Sequence, residues 1–323
     1  MVNSTCRVMV MARHEYRAAL RSRIILALMA VLTAVTIAST YVGAAAFRSQ
    51  LAEYQAYRAA ARAAGLSRLA PSPLAVLSLL RGAFEYIEIL GAVLAILVGY
   101  LSVTRERTAR TLPLLRSRPV SGTEFTVASL LGAAGVISTV VAVTGVVAVF
   151  CLGIIAHDWI SPSQWVKLLL ALTAAIVYLV GFYCLGAALT ARCRTGINGL
   201  MIALGLWLLV VLVLPQFGDT LDPDNQVPGG LFAALSLNPA QQAQIQSHLG
   251  VYEQIRTGIE TASFEKHFER FVFAMIDIKD NRRGFTLGHL LQITRTDLAW
   301  IAFYVAALVA FLKRAFRLQP AAT

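Results

Sequence analysis

The sequence predicts an all-α polytopic membrane protein with six transmembrane helices. Three observations carry the prediction: composition, the length of the apolar runs, and the placement of the basic residues. Apolar residues make up 58% of the 323-residue chain and charged residues only 14%, against about 25% charged in an ordinary soluble domain. Mean hydropathy is +0.68. A helix needs roughly 20 apolar residues to cross a bilayer core. Six stretches read as spans: Ile24 to Ala46, Glu85 to Thr104, Thr126 to Ile155, Trp165 to Leu189, Ile197 to Pro215, and Leu298 to Phe316. Lipid offers no partner to a backbone N–H or C=O, so runs this long and apolar must close their hydrogen bonds as helices.

Arginine and lysine orient the spans, because basic loops stay on the cytoplasmic side. Arg7, Arg13, Arg17, Arg21 and Arg23 precede the first span. Arg105, Arg107, Arg110, Arg116 and Arg118 separate the second and third. Arg192 and Arg194 separate the fourth and fifth, and Lys313, Arg314 and Arg317 close the chain. Only Glu15, Glu106 and Glu124 oppose them on that side. Both termini are therefore expected in the cytoplasm. The loop from Phe47 to Ala83 then lies outside, although it carries five arginines. Ala44-Ala45-Ala46 has the form of a signal-peptide cleavage site. The first apolar run exceeds the roughly 7–15 residues of a signal sequence, however, and is read as a span.

Two regions lie outside the spans. Residues 1–23 form a cytoplasmic interfacial helix: Arg13, Arg17 and Arg21 recur every four residues, with Val8, Met11, Ala12 and Ala19 roughly opposite. Residues 24–323 form the six-helix domain, which includes a long extracytoplasmic insert, 216–297, between helices five and six. The insert is too long for a bare connection. Asn238-Pro239, with Gln241 behind them, read as a capping box at a helix start. Ile245, Leu249, Tyr252, Ile255 and Ile259 follow at helical spacing, and Phe264, Phe268, Phe271, Met275 and Ile278 repeat it after Ser263. These two amphipathic helices are expected on the outer ends of the spans or at the outer interface, as a packed lid or a partner-docking surface.

The catalytic motifs are missing. The chain has no Walker A loop, H-E-x-x-H, G-x-S-x-G or dinucleotide fingerprint. Its five histidines are scattered, and its four cysteines form no ligand pair and no disulfide framework. The net charge of +11 is orientation charge beside apolar runs, so nucleic-acid binding is not expected. Within the spans only Glu85 and Glu88 stand out, at i and i+3 on one face of the second. They read either as an outer gate for a cationic substrate or metal, or as hydrated interface residues paired with Arg81. Spans so poor in carboxylates lack the titratable relay of a proton-coupled carrier, so energy is expected from elsewhere.

The segment RERTARTLPLLRSRPVSGTEFTVASLLG, residues 105–132, resembles the stretch between the second and third helices of type-2 ABC transporter permeases, the exporter family. Glu106, Arg107, Thr111, Leu112, Leu115, Pro119, Val120, Ser121, Glu124 and Phe125 match its pattern. Arg110 stands where that family has Gly, Gly122 where it has a basic residue, and Ser129 near its Lys. ARHEYRAALRSR, residues 12–23, is similar to the family's basic entry helix, with Glu15, Arg17, Arg21 and Arg23 in matching places. The turn from Thr190 to Gly196 fits its second cytoplasmic loop.

The resemblance implies a permease subunit in a prokaryotic cytoplasmic (inner) membrane, not itself an enzyme. Two such permeases pair over two separate ATPase subunits, which hold the ATP and Mg; the permease itself binds no cofactor. Residues 105–125 would form the coupling segment, with Leu112, Leu114 and Leu115 filling an apolar cleft of the ATPase. The insert also looks like that of the permease of nitrous-oxide-reductase maturation systems, which works with a periplasmic partner. The alternative within the family is a mechanotransmitter or scaffold, through which the ATPase drives an extracytoplasmic protein and nothing crosses the bilayer. Outside the family stands an ATP-independent carrier or intramembrane enzyme.

Overall fold

A computed structural model describes residues 4–65, 76–108, 121–156, 160–220, 250–278 and 285–317, with Leu235, Asn238, Gln241 and Gln244 as single positions. Every regular element among them is helical. Six helices are long and apolar enough to cross a membrane. Span 1 is Arg23–Ala63 and span 3 is Gly122–Ala156. Span 4 is Pro162–Arg192 and span 6 is Arg295–Arg317. Span 2 is a composite rod: a 3-10 turn Val76–Leu80, an α segment Arg81–Tyr86, a π segment Ile87–Gly91 and an α segment Ala92–Thr108. Span 5 joins Gly196–Trp207 to a π segment Leu208–Val213 and then Leu214–Thr220.

The spans coincide with the apolar runs, but span 1 outgrows its run. Its helix is 41 residues long, roughly 60 Å, about twice the hydrocarbon thickness of a bilayer. The reading stopped where hydropathy falls. The helix goes on because residues 47–63 are largely Ala, Gln, Glu, Leu and Arg, all strong helix formers that need no apolar environment.

Span 4 is the hub, packing against spans 2, 3, 5 and 6. Its seam with span 2 is built of glycine. A Cβ on Gly99 would lie 2.6 Å from the Tyr183 carbonyl, and one on Gly186 would lie 2.6 Å from the Ile96 carbonyl. Two backbones approach this closely only where side chains are absent, the common solution between helices in lipid.

The entry helix, Ser4–Leu20, lies along span 3. It buries Ala12 and Ala19 and leaves Arg13, Arg17 and Arg21 exposed, as its pattern requires. Gly132 of span 3 makes room for it, since a Cβ there would meet the Glu15 side chain at 2.6 Å.

The insert between spans 5 and 6 departs from expectation. Asn238 and Gln241 do form the capping box: each backbone N–H donates to the other's side chain, at 3.0 and 2.9 Å. Two helices, Gly250–Thr261 and Phe264–Met275, then fold as a hairpin. The second does not rest on the outer ends of the spans. Asp277 lies beside Lys167 near the start of span 4, whereas Phe264 packs on Gly181, roughly 20 Å further along that helix. The hairpin is thus re-entrant, its tip among the spans. Phe264, Phe268, Phe271 and Met275 are buried, and Tyr178 stacks on Phe268 with ring centroids 4.3 Å apart. Ile255, from the apolar stripe of the first hairpin helix, stays exposed instead.

Candidate functional site

Where spans 2, 3 and 4 converge on the basic end of the bundle, the entry helix touches both edges of the segment between spans 2 and 3. On one edge, Arg105 pairs with Glu15 at 3.6 Å. On the other, Glu124 accepts from Arg7 at 3.1 Å and from the Ser4 hydroxyl. Glu124 also completes a capping box. The Ser121 N–H donates to its carboxylate at 2.9 Å, and the Glu124 N–H donates to the Ser121 hydroxyl at 3.1 Å. One carboxylate therefore starts span 3 and anchors the entry helix. Burial pushes the Glu15 carboxyl above its ordinary range, and Arg105 opposes that shift.

Arg107 fastens the same region to span 4. Its guanidinium donates to the carbonyls of Ala191 and Cys193 at 2.7 and 3.2 Å. These carbonyls sit at the C-terminal end of a helix, where acceptors lack intrahelical partners and a cation is favoured. Phe125 meets Phe316 of span 6 edge to face, centroids 5.0 Å apart. Spans 2, 3, 4 and 6 and the entry helix are thus joined at one place, through residues bordering 109–120.

At the other end the hairpin is held by buried polar pairs. The Lys167 ammonium donates to both Asp277 oxygens, at 2.8 and 2.9 Å. Asp277 has φ +57, a left-handed conformation that Asp tolerates better than most residues. His267 puts Nδ1 2.8 Å from the Asp297 carboxylate and Nε2 2.9 Å from the Thr261 carbonyl, its ring stacked on Trp300. Glu260 receives Arg256 at 2.9 Å and Arg270, tying the two hairpin helices together. Burial raises the Glu260 carboxyl, but the two arginines outweigh it and hold it below the ordinary range.

The model of the ABC-2 family transporter proteins matches residues 9–315. The chain belongs to that family. No match was found among curated proteins. As an ABC-2 family transporter protein with six apolar helices, it is a multi-pass membrane protein and a permease subunit.

In this ABC-2 protein, four residues of the expected coupling set, Glu106, Arg107, Glu124 and Phe125, come together at the basic end with Glu15. Thr111, Leu112, Leu115 and Pro119 lie outside the described residues. Arg17, Arg21 and Arg23 are exposed and join no ion pair among the described residues.

The expected gate does not form as a pair. Glu85 is half-buried and binds Arg81 at 2.6 Å, the interface alternative. Glu88 lies in the π segment that begins at Ile87 and is buried near Glu265 of the hairpin. The bundle also takes in ionisable side chains that the spans alone do not show. Glu88, Lys167, Glu265, His267, Asp277 and Asp297 are all buried. Most of these come from the insert or the span ends, which a span-by-span reading leaves out. The available signal was Glu265 beside Phe264 and three residues before Phe268, on the flank of the aromatic stripe.

Proposed function

We propose that the chain is the membrane subunit of an ATP-binding-cassette exporter, coupling ATP hydrolysis on a separate subunit to substrate export. ATP and Mg belong to that partner, and a second permease copy or paralogue completes the assembly. The basic end faces the cytoplasm of a prokaryotic cell, in the inner membrane, and no nucleic acid is involved. Arg13, Arg17, Arg21 and Arg23 face anionic lipid headgroups at that surface.

One observation carries the coupling reading: the entry helix bridges both borders of segment 105–125, through Glu15–Arg105 and Arg7–Glu124. A push on the segment is resisted at both ends and passes into spans 2 and 3 together. Arg107 carries it to span 4. The packed seam of Gly99 and Gly186 moves spans 2 and 4 as one body, the rigid-body kind of switching. On this reading Leu112 and Leu115 fill the apolar cleft of the ATPase, as the family resemblance implies.

The test is co-purification of the tagged chain from its native membrane, followed by ATPase and vesicle-transport assays. A stoichiometric ATPase subunit is expected. Leu115→Asp and Glu106→Arg are expected to leave hydrolysis running without transport. A chain that elutes alone, or variants that couple normally, would overturn the assignment.

A second reading, the mechanotransmitter, is favoured by the hairpin. Its first helix exposes Val251 and Ile255, while its second is tied to spans 4 and 6. Such a unit relays bundle motion to an extracytoplasmic protein. Transport into vesicles without any added partner protein decides against it.

A further inference from the structure

Three buried polar contacts among the described residues hold the second hairpin helix and the turn after it to the spans. Two are with aspartates: Lys167 pairs with Asp277, and His267 hydrogen-bonds Asp297. The third sets like beside like: the Glu265 carboxyl lies within interaction reach of the Glu88 carboxyl of span 2. The two residues are 4% and 7% exposed. An ionised carboxylate only accepts, so a hydrogen bond between two of them requires a proton on one. Burial favours the same outcome, because two adjacent negative charges are costly where water is excluded.

Lys266 is a cation within electrostatic reach of both carboxyls and opposes their protonation, but burial outweighs it. Lys266 and Glu269, from the same helix, are paired with each other at 2.8 Å. The Ser263 hydroxyl donates weakly to Glu265 at 3.4 Å. From span 4 comes Tyr178, fully buried, whose hydroxyl has no hydrogen-bond partner among the described residues. It lies within electrostatic reach of both carboxyls, and its ring is fixed between Phe268, Phe264 and Phe182. A buried donor left without an acceptor is uncommon and costly. Here it lies within electrostatic reach of a pair of carboxyls that would become negative on losing the proton. The π segment of span 2 contains Glu88, and such segments are frequent at functional positions.

We propose that Glu88 and Glu265 form a proton-binding site inside the bundle, completed by Tyr178, which holds the re-entrant hairpin on span 2 while one proton is bound and lets it go when the proton leaves. Burial pushes the Glu265 carboxyl up to about 7 from an ordinary 4.5. A carboxyl raised in this way keeps its proton longer in the closed form than in water. The contact is therefore complete below the ordinary carboxylate range and is lost as pH rises through neutrality.

The full chain in lipid nanodiscs, without any ATPase, is enough for the test. A hydrophobic carbodiimide reacts with protonated carboxyls in apolar surroundings, and peptide mapping locates the adduct. Labelling at Glu88 or Glu265 is expected at mildly acid pH, half-lost near neutrality and down roughly tenfold one pH unit higher. Labelling lost already in the ordinary carboxylate range, or absent at every pH, would overturn the proposal.

Hydrogen exchange over residues 264–275, corrected for intrinsic rate, reads the hairpin itself. Protection in the wild type is expected to fall as pH rises, and the double variant Glu88→Gln, Glu265→Gln is expected to keep it throughout. Wild-type protection that ignores pH, or a double variant that follows the wild-type profile, would equally sink the idea. Neither readout depends on ATP coupling, so failure here leaves the exporter reading standing.

Discussion

The two ends of the bundle are both fastened by charge, but in opposite ways. At the basic end the pairs are partly exposed and ring a segment of chain. Arg7 and Arg105 keep about a third of their side-chain surface, 34% and 30%. At the hairpin end the pairs are buried, with Lys167 and Asp277 at 11% and 10%. Exposed pairs contribute little and exchange readily with water. Buried pairs are costly to form and costlier to break by halves. A region that must shift with a partner suits the first kind. An element held at a fixed depth among spans suits the second. The difference teaches that Lys167–Asp277 anchors the foot of the hairpin to span 4, whereas the basic end is an adjustable joint.

The sharpest way to break that contrast is to remove one half of a buried pair. Lys167→Met strands Asp277 and should destabilise the chain by about 3–5 kcal/mol, read as thermal unfolding in detergent. Adding Asp277→Asn, which tolerates the same backbone, should recover most of the loss. A single variant that unfolds like the wild type would show the hairpin to be loosely held.

Next in size is His267→Ala. It removes hydrogen bonds to Asp297 and Thr261 and should cost about 1.5–3 kcal/mol, the range for bonds to charged groups. The same unfolding assay checks it.

Glu15→Gln, at the basic end, should change stability by less than about 1 kcal/mol, because burial opposes what Arg105 contributes. Its effect belongs in coupling, and exchanging the charges (Glu15→Arg with Arg105→Glu) should restore what either change alone removes. If the single change destabilises as much as Lys167→Met, the two ends do not differ.

The smallest effect is one of sign. Glu15 is raised, so its contribution is present below 4.5 and lost as pH rises through its folded value. Glu260 is lowered, so its contribution is present above 4.5 and lost as pH falls. Glu15→Gln and Glu260→Gln should therefore tilt the pH dependence of unfolding in opposite directions. Parallel slopes would mean that one of the two carboxyls sits in a different environment.

The sequence carries much of this architecture. Six apolar runs, a basic amphipathic start and the Asn238–Gln241 capping box all reappear, because each depends on local pattern alone. The hairpin's depth does not. Phe264, Phe268 and Phe271 at helical spacing suit a lipid interface and a protein core equally, and only Gly181 opposite Phe264 decides between them. Glu88 was visible, but Glu265 lies 177 positions away, and no periodicity links them. The π segment was hidden too, since Ile87–Gly91 reads as ordinary apolar helix. At the basic end the capping role of Ser121 and Glu124 was legible in principle, as Ser followed three residues later by Glu. What the pattern could not show is that the same carboxylate reaches the entry helix.

Span 1 has a mechanical consequence. It starts at Arg23, directly after the entry helix, and continues unbroken to Ala63. A straight rod of that length is a lever with its short arm at the clamp. A tilt of about 10° at its base displaces the tip by about 10 Å, given a length near 60 Å. Small rotations at one face of the bilayer are thereby magnified well beyond the other.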